Sequence, residues 1–164
     1  MAYWAVSTFS PDETRLLGRC LGEAIGQPMV VLLTGDLGAG KTCFAQGLAR
    51  GLEVPEQEAI VSPTYTLMNP YQGRLALFHF DLYRLPENED LAGLGFEEYL
   101  PGAGVAVVEW AERFPHLAAE YLAVEITHQD IEERSFSFCA EGEAAARVLE
   151  NFRHRWEKRP VEKD

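Results

Sequence analysis

A mixed, mainly parallel sheet flanked by helices, with added antiparallel hairpin strands, is the α/β fold this sequence predicts. Three observations carry that expectation. Residues 29–33 and 105–108 are short, continuous apolar runs of the kind buried on both faces of a parallel sheet. Strand-like and amphipathic helical segments alternate through the first half of the chain. Pairs of short apolar segments separated by turn residues follow later, as in hairpins.

Taken in order, residues 3–9 alternate loosely and predict a strand. Ser10-Pro11-Asp12-Glu13 is a helix start, with a serine cap, proline at the first position and acids in the first turn. That helix runs to about residue 25, with Leu16, Leu17, Cys20, Leu21 and Ala24 on one face. Residues 29–33 form a strand that Thr34-Gly35 ends, and a second helix spans about 40–52. Ser62-Pro63-Thr64 marks a loop within residues 60–67. Residues 67–71 and 75–80 predict a hairpin around Gln72-Gly73. Short helices are expected at 86–92 and 94–100, and strands at 105–108, 121–127 and 135–139. A final amphipathic helix covers 143–157, with Ala145, Val148, Leu149, Phe152 and Trp156 at helical spacing. The length of 164 residues argues for one domain, residues 1–158, followed by a flexible tail, 159–164.

Hydrophobic residues make up 47% and charged residues 24%, which excludes a disordered chain and a coiled coil. No apolar run approaches the roughly 20 residues of a membrane span, so no membrane association is expected. Cys20, Cys43 and Cys139 form no Cys-x-x-Cys pair, which points to reduced thiols and a cytoplasmic protein. The net charge of -12 opposes a polyanionic ligand unless a local device overcomes it.

That device is Gly35-Asp36-Leu37-Gly38-Ala39-Gly40-Lys41-Thr42, which fits Gly-x-x-x-x-Gly-Lys-Ser/Thr between a buried strand and an amphipathic helix. The glycines let successive N–H groups turn toward phosphate oxygens, and the helix dipole adds positive potential there. Lys41 is placed to bridge the β- and γ-phosphates, and Thr42 to put its hydroxyl on magnesium. Residues Asp36, Leu37, Gly38, Ala39, Gly40, Lys41, Thr42 and Cys43 are therefore the candidate nucleotide-binding set, with a nucleoside triphosphate and Mg2+ as cofactors.

Such a loop needs an acid at the end of a neighbouring apolar strand. Glu109 ends the better buried run and suits a magnesium ligand; Asp81 ends residues 75–80 and suits a residue that orients water or holds a switch loop. Composition leaves the choice open. Ser62 and Thr64 read either as a simple proline turn or as a switch segment whose hydroxyls sense the γ-phosphate. Trp110 reads as a rim aromatic or as core. His79, His116, His128 and His154 have no metal-ligand spacing and read as structural.

These blocks, with Ser62-Pro63-Thr64-Tyr65-Thr66-Leu67, His79-Phe80-Asp81-Leu82-Tyr83-Arg84-Leu85 and Glu109-Trp110, resemble the bacterial TsaE (YjeE) family of ATPases that serve tRNA threonylcarbamoyladenosine synthesis. The resemblance spans residues 5–140 and implies a phosphate-loop NTPase fold. It implies a slow, partner-stimulated ATPase that binds a TsaB–TsaD-like pair and resets it between rounds of tRNA modification next to the anticodon. It also implies Thr42 and Glu109 at magnesium, Lys41 at phosphate, Asp81 and the 62–64 loop in the catalytic or switch region, Thr14 near adenine and Arg134 near the nucleotide. The chain departs from the family pattern at Cys43, Ala111 and Glu133, where threonine, proline and glycine are frequent.

Two rivals are a GTPase and a small-molecule kinase, and a third is a nucleotide switch that regulates a partner. No Asn-Lys-x-Asp base-reading motif is present, and residues 86–100 contain no arginine for a kinase lid. Charge refines the partner expectation. Residues 1–146 carry 8 basic against 22 acidic residues, whereas residues 147–164 carry 6 against 4. Contact with tRNA is thus expected to be indirect, with the basic C-terminal helix (Arg147, Arg153, Arg155, Lys158, Arg159) as the one candidate for a direct touch.

Overall fold

The apolar run 29–33 becomes the middle of a seven-stranded sheet in the computed structural model, which describes residues 2–36, 40–63, 65–86, 98–99, 102–113 and 117–160. Leu37, Gly38, Ala39, Thr64, nearly all of the two short helices expected at 86–100, and residues 161–164 lie outside the described residues. The elements are β1 (Ala2–Thr8), α1 (Pro11–Ala24), β2 (Met29–Gly35), α2 (Lys41–Gly51), β3 (Met68–Tyr71), β4 (Leu77–Asp81), β5 (Val105–Glu109), β6 (Tyr121–His128), β7 (Arg134–Glu141) and α3 (Glu143–Glu157). A short 3-10 turn covers Ala111–Arg113.

Strand order is β1-β7-β6-β2-β5-β4-β3. The central four, β6, β2, β5 and β4, run parallel. Both flanks are antiparallel: β1–β7–β6 on one side and the β3–β4 hairpin on the other. The most apolar strand, β5, sits between β2 and β4 with all five residues buried. Pro70, which donates no ladder bond, falls on the edge strand β3. The carboxyl ends of three strands are thereby aligned: Leu33 of β2 pairs with Glu109 of β5, and Glu109 pairs with Asp81 of β4.

One face of the sheet carries all three described α-helices. Leu17 and Leu21 of α1, Phe44 and Leu48 of α2, and Phe152 and Trp156 of α3 join Val31, Val107, Val124 and Phe138 in one buried cluster. Trp4, Phe138 and Phe152 pack with ring centroids 4.9–5.5 Å apart. The opposite face, with Val30, Phe80, Ala106 and Val108, is covered in part by Tyr99 and Leu117. No described helix is long and apolar enough to cross a membrane.

The orientation of α2 depends on four glycines. A Cβ on Gly18 or Gly22 of α1 would overlap the Phe44 or Leu48 carbonyl oxygen of α2. A Cβ on Gly47 or Gly51 of α2 would overlap the Arg15 or Arg19 carbonyl oxygen of α1. The two backbones therefore touch along a Gly-x-x-x-Gly stripe on each helix. Their C-terminal ends share one further clamp. Arg74 donates to the carbonyls of Ile25 (2.8 Å), Gly22 (2.9 Å) and Gly51 (3.3 Å), placing a cation where helix dipoles are negative. This clamp corrects the hairpin turn expected at Gln72-Gly73. The link runs through residues 72–76, because Arg74 N–H also donates to the Leu52 carbonyl at 2.7 Å.

The Cys20 thiol is pushed up above its ordinary range, first by burial and then by nearby Glu23. In the basic C-terminal segment, Arg153 pairs with Glu157 at 2.9 Å and Arg155 with Glu23 at 3.7 Å. Arg159, at the start of the expected tail, lies 3.5 Å from the Trp156 ring centroid and donates to the Trp156 carbonyl.

The glycine contacts make a stability prediction. Gly47→Ala forces α1 and α2 apart and should destabilise the fold by about 1–3 kcal/mol. Thermal unfolding should drop by roughly 2–4 °C per kcal/mol. Gly26→Ala, with nothing within 4 Å of its added Cβ, should leave the midpoint within a degree or two. Equal midpoints for the two variants would show that the helices do not need the close approach.

Candidate functional site

Gly35 ends β2, and Gly40 turns the chain into α2 with φ +105°, a left-handed conformation that favours glycine. No side chain caps α2, so its first-turn N–H groups have no side-chain acceptor. α1, by contrast, is capped by Ser10 Oγ, which accepts from Glu13 N–H at 3.0 Å. The start of α2 opens onto a cavity of about 480 Å³ at the carboxyl ends of the parallel strands, where open α/β sheets bind ligands.

Gly40, Lys41, Thr42 and Cys43 line one wall of this cavity. Asp81 and Glu109, from adjacent strand ends, form its floor with Trp110 beside them. Ser62 and Arg134 close the sides. A smaller adjoining cavity of about 50 Å³ shares Gly40, Cys43 and Arg134 and adds Thr14. The structure therefore brings together all the described candidates except Asp36, which is exposed and lines neither cavity. Thr14 contributes less polarity than its position suggests, since it is buried with its hydroxyl 2.7 Å from that of Thr8.

Lys41 is buried, and its Nζ donates to the Gly35 carbonyl at 2.5 Å while lying 4.0 Å from the Trp110 ring centroid. Trp110 adopts φ +63°, a conformation that strains a non-glycine residue by of order 1–3 kcal/mol. The turn ends β5 directly after Glu109 and sets the Trp110 ring between Lys41 and Tyr83, whose ring centroid is 4.9 Å away. Trp110 lines the cavity and also packs on the second core cluster.

Both acids are almost fully buried, Asp81 at 4% and Glu109 at 2% exposure. Each is compensated differently. Asp81 Oδ1 accepts from Tyr83 N–H at 2.9 Å, and Oδ2 accepts from Ser62 Oγ at 3.1 Å. Ser62 thus ties the 61–63 loop to the end of β4. Glu109 Oε2 lies 2.6 Å from His79 Nε2. His79 is the residue whose importance the sequence reading missed. It is 1% exposed, and its spacing of two from Asp81 on β4 puts both on the same face of the sheet.

Arg134 sits where β7 begins, and its Nη1 donates to the carbonyls of Asp130, Ile131 and Glu133 at 3.0–3.1 Å. This shapes the 130–133 turn while the guanidinium stem stands beside Gly40; a Cβ there would be 3.7 Å from Arg134 Nε. Among the described residues no three His, Cys, Asp or Glu side chains converge as a metal cage. What converges instead is one hydroxyl, Thr42, and two carboxylates, all hard oxygen donors. Such a set fits Mg2+, which keeps several waters and takes few protein ligands.

Comparison with other proteins shows what the chain as a whole is similar to. The family described as "Threonylcarbamoyl adenosine biosynthesis protein TsaE" matches residues 8–136. A tRNA threonylcarbamoyladenosine biosynthesis protein TsaE of Treponema pallidum is 46% identical over 112 residues, covering 68% of this chain and 82% of that protein. A protein of the same name from Nostoc is 45% identical over 124 residues, covering 73% and 75%. The crystal structure of Bacillus subtilis YdiB superposes with a TM-score of 0.79 at 32% identity, covering 94% of this chain and 96% of that one. On the family match over residues 8–136 and on these relatives, the chain belongs to the TsaE family.

Proposed function

We propose that this chain is a Mg2+-dependent ATPase that supports threonylcarbamoyladenosine formation on tRNA by binding a TsaB–TsaD-like protein pair and resetting it between turnovers. One observation carries the reading. Lys41 and Thr42, at a helix start with no side-chain cap, share a cavity with two buried carboxylates from adjacent parallel strands. A phosphoryl-transfer site needs little more than a phosphate cradle, a cation, metal-facing acids and a residue that orients the nucleophile.

The roles follow from placement. N–H groups at the start of α2 and the helix dipole favour the β-phosphate. Lys41 leaves the Gly35 carbonyl and the Trp110 face to reach the β- and γ-phosphates. Thr42 and Glu109 would hold magnesium, whose chemistry there would be to offset charge developing on the phosphates. Asp81, held through both oxygens, is fixed in direction and orients a water for in-line attack on the γ-phosphorus, with the bond to the bridging oxygen breaking. Ser62 is bonded to the same carboxylate, which links the 61–63 loop to Asp81. Lys41 gives up a hydrogen bond and a cation–π contact, the latter worth about 0.5–2 kcal/mol, before it serves phosphate, and this supports the reading of a turnover that is slow in isolation. Direct contact with tRNA is the weaker option, since Arg153 and Arg155 are already paired with Glu157 and Glu23.

Three outcomes are expected. Lys41→Ala should weaken ATP binding by roughly 10–100-fold, the loss of charge-assisted contacts to phosphate; unchanged binding and hydrolysis would overturn the site assignment. Glu109→Gln should lower Mg2+ affinity and hydrolysis far more than metal-free nucleotide affinity, as measured by titration calorimetry and phosphate release. Equal Mg2+ affinity in mutant and parent would transfer the metal role to Asp81. In tRNA modification reconstituted with a TsaB–TsaD pair, adding this chain and ATP should stimulate multiple turnover and leave single turnover unchanged. Stimulation of the single-turnover step would refute resetting.

A further inference from the structure

We infer that His79 is a positioning residue for the metal-side acid: its Nε2–H holds Glu109 Oε2, so that a single carboxylate oxygen is presented to the cation. The inference rests on the ATPase reading above and deepens it.

The two side chains are 1% and 3% exposed and 2.6 Å apart. A carboxylate buried to this degree is costly unless it is hydrogen-bonded or paired. The bonding pattern also assigns the proton. His79 Nδ1 has no hydrogen-bond partner among the described residues. A buried N–H without an acceptor is rarer and costlier than a bare acceptor nitrogen. Facing a carboxylate oxygen, which only accepts, Nε2 is the nitrogen that donates to Glu109.

Register explains why the bond forms between strands. β4 and β5 are parallel, with Asp81 opposite Glu109 and His79 opposite Val107. His79 and Asp81 point to the same face two residues apart. The imidazole reaches diagonally from one rung below the acids to the neighbouring strand's carboxylate. Strand β4 thus supplies both an acid of its own and the donor that orients the acid on β5. Outer partners of this kind fix ligand rotamers, and their loss typically costs 10–100-fold in metal affinity.

The test uses a matched pair of polar substitutions. In His79→Gln the side-chain amide nitrogen can stand near the position of Nε2; in His79→Asn it falls short of Glu109. Mn2+ is titrated into the full-length protein saturated with ADP and read by electron paramagnetic resonance, beside metal-free ADP affinity. His79→Asn should weaken Mn2+ binding by about 10–100-fold. His79→Gln should stay within about threefold of the parent, and both should bind metal-free ADP as the parent does. Parental Mn2+ affinity in both variants, or an equal loss in both, would overturn the inference, because the nitrogen donor would then be irrelevant. Glu109→Gln is the companion measurement. If it leaves Mn2+ affinity unchanged, the metal reading of Glu109 falls and His79 falls with it. If it weakens Mn2+ binding while His79→Asn does not, only the role of His79 is lost.

Discussion

Two carboxylates lie side by side and nearly dry at the ends of adjacent parallel strands, and much of the site is arranged around making that tolerable. Asp81 and Glu109 are register partners, so the ladder itself forces them together. Buried like charges in contact with little water must be offset locally. Asp81 is offset by a backbone N–H and the Ser62 hydroxyl, Glu109 by the His79 imidazole, and Lys41 brings a buried cation to the same cavity. Each offset also sets a direction. The same bonds that make burial tolerable therefore aim the acids, which a solvated pair at a strand end would not achieve.

The phosphate side of the site depends on a different constraint, the closeness of two helices. α2 must bring its N-terminus to the strand ends while its body rests against α1. Glycines at 18, 22, 47 and 51 remove the side chains that would hold the backbones apart. Arg74 then clamps both C-terminal ends through their carbonyls. With α2 held along its length and at its far end, its open N-terminus is presented to the cavity as a rigid feature. Rigidity matters here because helix dipoles and N–H groups stabilise charge best when they need not reorganise.

Lys41 and Trp110 join the two halves. The strained backbone at Trp110 places an aromatic face over the lysine next to the acid Glu109. Lysine, tryptophan and Tyr83 form one stack along the cavity wall, while Ser62 ties the neighbouring loop to Asp81. A ligand that draws Lys41 away disturbs a continuous set of contacts rather than a lone side chain.

The elements of this fold were legible because they rest on local rules. Buried strands are short and β-branched, Ser10-Pro11 starts a helix, and Gly-x-x-x-x-Gly-Lys-Thr needs its own strand and helix. Lys41, Thr42, Asp81 and Glu109 could be named as candidates from the sequence because each stands at a strand end or helix start, and Ser62 because it precedes a proline in a loop. His79 and Arg74 could not, since an isolated histidine or arginine has no spacing that identifies its partner. Their partners are 30 and 52 residues away in sequence, at Glu109 and Gly22. By itself, the sequence determined the element types, the phosphate loop and the two candidate acids. The tertiary structure alone decided that those acids are register neighbours, that His79 holds one and Ser62 the other, and that Lys41 rests on Trp110. The physical reason is that strand order and helix approach are set by packing across the whole sheet, a long-range property that local pattern does not carry.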